Sequence, residues 1–105
     1  MDFIFTIRDK SRKEIHLSEE RWKHIKKHPH MDEHMSEDIK VTIKNPMTIR
    51  YNEEDDKVRY FYREYKNMPL FERYLLVSVK YLNGKGFVIT SFFTNKITGS
   101  KWETK

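Results

Sequence analysis

The sequence has no cysteine and no long apolar run. Without cysteine, disulfide bonds and thiolate metal sites are excluded. No apolar stretch approaches the roughly 20 residues that a transmembrane helix needs. The opening segment MDFIFTIRDK is too short and too charged for a signal peptide. These absences predict a soluble, cytoplasmic protein that does not bind a membrane.

The composition bounds the size of the core and the kind of partner. A chain of 105 residues is long enough for one packed core and too short for two, and an apolar share of 37% predicts that this core is thin. We therefore expect a single domain spanning residues 1–105. The 21 lysines and arginines exceed the 16 aspartates and glutamates, and the net charge of +5 favours a polyanionic partner such as nucleic acid.

The hydrophobic pattern changes its period at Pro46. Before it, LSEERWKHIKKHP and MSEDIKVTIKNP are helical in pattern, with Ser18 and Ser36 as N-caps. After it, four segments alternate as strands do: MTIRYN, KVRYFYREY, RYLLVSVKYL and FVITSFFT. Short connectors predict antiparallel neighbours. The sequence predicts an α+β fold in which two N-terminal helices pack on a four-stranded antiparallel meander, with FIFTI and EIHL as a candidate N-terminal β-hairpin.

Alternation along the strands divides their side chains between two faces of the sheet. The more apolar face of the last two strands is expected in the core: Leu75, Val77, Val79 and Tyr81, with Phe87, Ile89, Ser91 and Phe93. The opposite face collects polar side chains: Ser78, Lys80, Thr90 and Thr94. The first two strands add to it Arg50 and one of two sets: Arg59, Phe61 and Arg63, or Tyr60 and Tyr62. Either choice predicts a face of cations, hydroxyls and aromatic rings.

Histidines are concentrated between residues 20 and 35. His24 and His28 have the i, i+4 spacing of zinc ligands, and His30 and His34 follow. The stretch lacks the glutamate of an H-E-x-x-H motif, and Pro29 interrupts it. We therefore predict no metal ion and no cofactor. The remaining histidine, His16, lies in a predicted strand and is expected to be structural.

A polar ridge borders the buried stripe of the first predicted helix. Trp22 and Ile25 define that stripe, while Arg21, His24 and His28 lie beside it. Histidine can take or give a proton near neutral pH, and nearby cations can hold a phosphate. From the residues alone, the ridge is either a catalytic site or a set of solvated side chains.

Four segments in order, RWKHIKKH, KNPMTIRY, VRYFYRE and FVITSFFT, resemble the barnase/EndoU/colicin/RelE-like (BECR) nuclease superfamily, and most closely its phage- and toxin-associated branch. The resemblance implies active-site roles for five residues: Arg21, His24, His28, Arg59 and Thr90. The chain has Phe92 where the closing-strand signature of that branch has tyrosine in many members. This departure leaves open whether another tyrosine supplies the phenol.

The resemblance implies a small, metal-independent endoribonuclease of the toxin type, in which the RNA 2'-hydroxyl attacks the phosphodiester. His24 would then be the general base or acid, with cations stabilising the transition state. The expected RNA-binding residues are Arg50, Tyr62, Arg63, Lys80 and Thr94. An acidic antitoxin or immunity protein is the expected protein partner. The alternative is a non-catalytic RNA-binding module that uses the same basic and aromatic sheet face.

Overall fold

A mixed β-sheet and two helices form the fold. The computed structural model describes residues 3–66 and 73–101. Its elements are β1 (Phe3–Arg8), β2 (Glu14–Ser18), α1 (Glu19–Ile25), α2 (Met35–Lys44), β3 (Thr48–Tyr51), β4 (Val58–Glu64), β5 (Tyr74–Leu82), β6 (Lys85–Thr94) and the two-residue β7 (Ser100–Lys101). The sheet has the order β1-β2-β6-β5-β4-β3-β7. Within the described ranges, no helix is long and apolar enough to span a membrane.

The predicted antiparallel meander is confirmed in β3 to β6. Phe61 of β4 pairs with Val77 of β5, which pairs in turn with Ser91 of β6. A two-residue turn joins β5 to β6, and its residues Asn83 and Gly84 have positive φ angles of 55° and 79°. Two successive positive φ angles are typical of a type I′ turn, whose twist matches that of the flanking strands. The NGKG segment therefore forms the tight hairpin that the sequence predicted.

The N-terminal hairpin exists, but it is part of the main sheet. Ile15 and His16 of β2 pair in parallel with Gly86 and Phe87 of β6. Gly86 permits this approach, because a Cβ atom there would lie 2.3 Å from Ile15 Cδ1 and 2.9 Å from Val79 Cγ1. The predicted four-stranded antiparallel sheet is thus too small, and the true sheet is mixed. The helices follow the hairpin and are not both N-terminal.

The helix boundaries differ from the prediction at two places. Ser18 caps α1 as predicted, and its Oγ accepts a hydrogen bond from the Arg21 N–H at 3.2 Å. However, α1 ends at Ile25, before the predicted stop at Pro29. The N-cap of α2 is His34 rather than Ser36, because Asp32 accepts the His34 N–H at 2.9 Å and so starts the turn earlier.

The core lies between the helices and one face of the sheet, which we call the core face. Its largest contributors come from both helices and the central strands: Ile15, Leu17, Trp22, Ile25, Ile39, Ile43, Phe61, Leu75, Val77, Val79 and Val88. The other face, which we call the outer face, is crossed by the segment between β6 and β7, residues 95–99. In this crossing segment the Thr98 N–H donates to the Tyr62 hydroxyl at 3.0 Å. The crossing segment therefore covers part of the face that the sequence predicted to be open.

Candidate active site

A β-bulge in β6 determines which side chains reach the outer face. Ser78 pairs with Thr90, whereas the next residue of β5, Val79, pairs with Val88, so Ile89 is the extra residue. A bulge of this kind changes the alternation of side chains by one position. Thr90 lies on the outer face as predicted, but Phe87 also lies there rather than in the core.

The register also decides the phase of β4. Tyr60 pairs with Ser78, so it shares the outer face with that serine and with Thr90. Arg59 pairs with the buried Val79 and therefore lies on the core face. Of the two sets that the sequence left open, the structure selects Tyr60 and Tyr62 for the outer face.

A cleft of about 580 Å³ opens beside β6, where the N-terminal hairpin, α1 and the β5–β6 hairpin meet. Arg21 from α1 and Lys80 from β5 both line it, so two of the predicted cationic residues come together. Glu19 and Glu20 line the same cleft. The site therefore combines cations with carboxylates and is not a simple basic patch.

Lys80 is held at the cleft by an ion pair. Its Nζ lies 3.3 Å from Asp55 Oδ2, while Asp55 Oδ1 accepts the Lys57 N–H at 3.0 Å. The Lys57 N–H, with a further contribution from Lys80, lowers the pKa of the Asp55 carboxyl, although partial burial opposes this shift. Both side chains of the ion pair are partly exposed, so a phosphate can compete with Asp55 for the amine.

His28 lies in the turn after α1 and contacts the outer-face side of β6. Its Nε2 is 3.5 Å from Thr90 Oγ1, at the outer limit of a hydrogen bond, and its ring centroid is 5.5 Å from that of Phe92. A smaller cavity of about 300 Å³ is lined by His28, Pro29, Phe92 and Phe93. The structure thus brings together two of the predicted catalytic residues, His28 and Thr90.

His24 lies between Arg21 and His28 in the sequence. Arg21 and His24 are three residues apart in α1 and are therefore neighbours on the surface of that helix, whereas His28 lies in the turn that follows it. We call these three residues the α1 ridge. Arg21 and His24 are exposed, and His28 is half-buried. Two members of the ridge lie next to β6: Arg21 lines the cleft together with Val88 and Ile89, and His28 contacts Thr90.

The arginines of β4 lie away from this site. Arg63 points to the core face, where its Nη1 is 3.3 Å from Asp38 Oδ1 and 3.0 Å from the Tyr65 hydroxyl. Arg59 donates from Nη1 to the backbone carbonyls of Asp56 and Val58. Strand alternation separates both arginines from Lys80 and Thr90. Their predicted roles beside those residues are therefore not supported by the geometry.

Three other predicted RNA-binding residues, Tyr62, Arg50 and Thr94, contact the crossing segment. Tyr62 is 0% exposed, so its ring cannot stack on a base in this structure. Arg50 is half-buried and lies close to Gly99 of the crossing segment, since a Cβ atom added to Gly99 would be 3.2 Å from the Cβ atom of Arg50. The Thr94 hydroxyl accepts the Lys96 N–H at 3.2 Å. Of these three residues Tyr62 is buried, whereas Arg50 and Thr94 are half-buried, as Lys80 and Thr90 are.

His16 is a cleft residue that the sequence assigned only a structural role. It is 7% exposed, its Nδ1 lies 2.9 Å from Thr6 Oγ1, and its Nε2 lies 3.5 Å from Glu14 Oε1. Both ring nitrogens therefore have partners, as expected of a structural histidine, but the side chain also lines the cleft. His16 lies at the cleft because β2 pairs in parallel with β6. This pairing joins distant parts of the chain, so no local sequence pattern predicts it.

Among the described residues, no group of three or more histidine, aspartate or glutamate side chains is arranged to hold a metal ion. These features define a small α+β domain in which a helix and the turn after it carry one histidine each, His24 and His28, near a cleft that contains cations.

The family of the chain is shown by its sequence. Residues 4–105 match the model of PBECR2, the phage-Barnase-EndoU-ColicinE5/D-RelE like nuclease2 family. The match covers nearly the whole chain, so the protein belongs to this family of BECR nucleases, as the resemblance predicted. Comparisons with curated proteins and with solved structures found no significant match.

Proposed function

We propose that the domain is a metal-independent endoribonuclease that cleaves RNA through attack of the 2'-hydroxyl. The observation that carries this proposal is the contact of His28 Nε2 with Thr90 Oγ1 at 3.5 Å. Thr90 follows Ile89 in β6, and Ile89 lines the same cleft as Arg21 and Lys80. Proton-transferring and cationic groups thus lie along one edge of β6, which is the combination that this reaction requires.

In the proposed reaction, a phosphodiester lies between the α1 ridge and the outer face of β6. One ridge histidine, His24 or His28, takes the proton of the 2'-hydroxyl, and the new O2'–P bond forms. The other histidine protonates the 5'-oxygen as the P–O5' bond breaks. Arg21 and Lys80 stabilise the negative charge on the phosphate oxygens, and Thr90 donates a hydrogen bond to one of them. The products are a 2',3'-cyclic phosphate and a 5'-hydroxyl.

The histidines provide the direct test. His24→Ala and His28→Ala should each lower the cleavage rate by about 10²- to 10⁴-fold, the usual effect of one general acid or base. His24 is exposed, so its removal should leave the free energy of unfolding unchanged. His28 is half-buried, so His28→Gln, which keeps most of the side-chain volume, is the second variant at that position. The matched control is His34→Ala, an exposed histidine whose side chain makes no cap hydrogen bond.

The substrate gives an independent readout. An RNA with a single 2'-deoxy residue at the scissile position should resist cleavage, because it lacks the attacking group. End-group analysis of the normal substrate should find a 2',3'-cyclic phosphate. Cleavage of the deoxy substrate at the full rate, or wild-type rates from both histidine variants, would rule out this mechanism.

The alternative function, a non-catalytic RNA-binding module, has less support. It predicted stacking by Phe61 or a tyrosine: Phe61 and Tyr62 are buried, and Tyr60 is half-buried on the outer face. We also propose that an acidic antitoxin or immunity protein binds the domain, because a net charge of +5 complements such a partner. If so, expression of the wild-type domain alone should be toxic to its host, and expression of the His24→Ala variant should not. Equal tolerance of both would argue for the binding module.

A further inference from the structure

The cleft exposes more aromatic surface than phosphate binding requires. Phe3 and Phe87 are each 38% exposed, and both line the cleft. Phe87 reaches it only because the β-bulge turns that side chain outward. Two exposed phenylalanines on one cleft indicate a ligand with an apolar, flat component, since exposed apolar surface is unfavourable in water.

His16 connects the two phenylalanines into one wall. Its ring stacks on Phe3 with a centroid distance of 4.5 Å and an interplanar angle of 27°. The ring of Phe87 also contacts the His16 ring, with a centroid distance of 5.5 Å and an interplanar angle of 32°. The contact of His16 Nδ1 with Thr6 at 2.9 Å fixes the orientation of the imidazole. We call Phe3, His16 and Phe87 the aromatic wall, which is formed before any ligand binds.

The charges of the cleft do not by themselves explain binding. The two cations, Arg21 and Lys80, are matched by two carboxylates, Glu19 and Glu20. A phosphate alone would therefore gain little net attraction there, and a second source of binding energy is required. Stacking on aromatic rings provides such a source for nucleotides, because every base has a π face.

We propose that the aromatic wall is a stacking subsite for one unpaired base of the RNA substrate, next to the phosphate that Arg21 and Lys80 bind. This inference rests on the proposed ribonuclease function and specifies its substrate as single-stranded RNA. A base within a duplex is stacked on its neighbours and cannot offer its face to the wall. The cleft volume of about 580 Å³ lies within the usual range of small-ligand sites.

The experiment measures binding without cleavage. The probe is a fluorescent single-stranded RNA with a 2'-deoxy residue at the scissile position, and its affinity is measured by fluorescence anisotropy. Phe87→Ala should weaken binding by about 5- to 150-fold, the usual effect of losing one base-stacking ring. Phe87→Leu should weaken it as well, because it lacks a π face, whereas Phe87→Trp should restore it. The matched control is Val41→Ala on α2, a residue equally exposed at 38%.

A thermodynamic cycle then identifies the contact. An abasic site is moved along the probe, and at one position it should weaken wild-type binding as much as Phe87→Ala does. In the Phe87→Ala protein, the same abasic probe should lose no further affinity, because the stacking partner is already absent. A duplex form of the probe should bind the wild-type protein more weakly than the single strand.

The outcomes separate this inference from the proposed function. Additive losses at every abasic position, or equal affinity for the duplex and the single strand, would overturn the stacking subsite even if the histidine variants lose activity. A non-additive cycle in a protein that cleaves no RNA would keep the subsite and overturn the ribonuclease mechanism.

Discussion

The contact between β2 and β6 at Gly86 permits a quantitative test of the parallel pairing that forms the cleft. In Gly86→Ala, the new methyl group would lie 2.3 Å from Ile15 Cδ1 and 2.9 Å from Val79 Cγ1. Ordinary carbon–carbon contacts are about 3.5–4.0 Å, so the Ile15 side chain must move by more than an ångström. Ile15 and Val79 are both 0% exposed, which leaves little space for that movement. We expect Gly86→Ala to lower the free energy of unfolding by about 1–3 kcal/mol, the usual cost of overpacking.

The second variant, Ile15→Val, removes the Cδ1 atom that causes the worst clash. Alone it should cost about 0.5–1.5 kcal/mol, as the loss of a buried methyl group does. Combined with Gly86→Ala, it should restore part of the lost stability, although the close contact of 2.9 Å with Val79 Cγ1 remains. Urea unfolding of the wild type, both single variants and the double variant gives the coupling energy. Additivity within about 0.5 kcal/mol would show that the two residues do not touch and would refute the parallel pairing.

Two further predictions concern pH and metal ions. Burial, supported by hydrogen bonds to Asp38 and Asp9, raises the pKa of Tyr65 and of Tyr81 above the usual value of about 10. As the pH rises, the two hydroxyls therefore lose their protons in the unfolded chain before they do so in the folded protein. Their contribution to the free energy of unfolding is complete below about pH 10 and decreases as the pH rises above that value. Urea unfolding at increasing pH should show this decrease in the free energy of unfolding. In Tyr81→Phe the decrease should be less steep, because one of the two hydroxyls is absent. The same pH dependence in the variant as in the wild type would contradict the raised pKa of Tyr81. A chelator should leave cleavage and unfolding unchanged, because the histidines of residues 20–35 form an incomplete ligand set, and a loss of stability after chelation would contradict this.

The features that the sequence predicted correctly are determined by neighbouring residues. Ser18 caps α1 through a hydrogen bond three residues along the chain, and Asn83 and Gly84 have the conformations that the hairpin turn requires. Leu75, Val77 and Val79 recur at every second position of β5, and all three lie in the core as the alternation predicted. Such patterns are local, so a single sequence is enough to recognise them.

The incorrect assignments concern contacts between distant parts of the chain. Strict alternation placed Phe87 in the core, and the β-bulge reverses this, although nothing in the FVITSFFT pattern marks Ile89 as the extra residue. The phase of β4 could not be assigned because both of its faces are covered. The helices cover Phe61, and the crossing segment covers Tyr62, so the hydrophobic contrast between the faces is lost.

The parallel pairing of β2 with β6 also has a consequence for the synthesis of the protein. Arg21 and His16 are made early, whereas Lys80 and Phe87 are made late, and the cleft requires all four. The N-terminal hairpin joins the sheet only through β6. During synthesis on the ribosome, this hairpin therefore has no neighbouring strand until β6 has emerged. Partly synthesised chains therefore contain His24 and His28 before they contain β6. The cleft of this nuclease can therefore be complete only after β6, which ends at Thr94, has been translated.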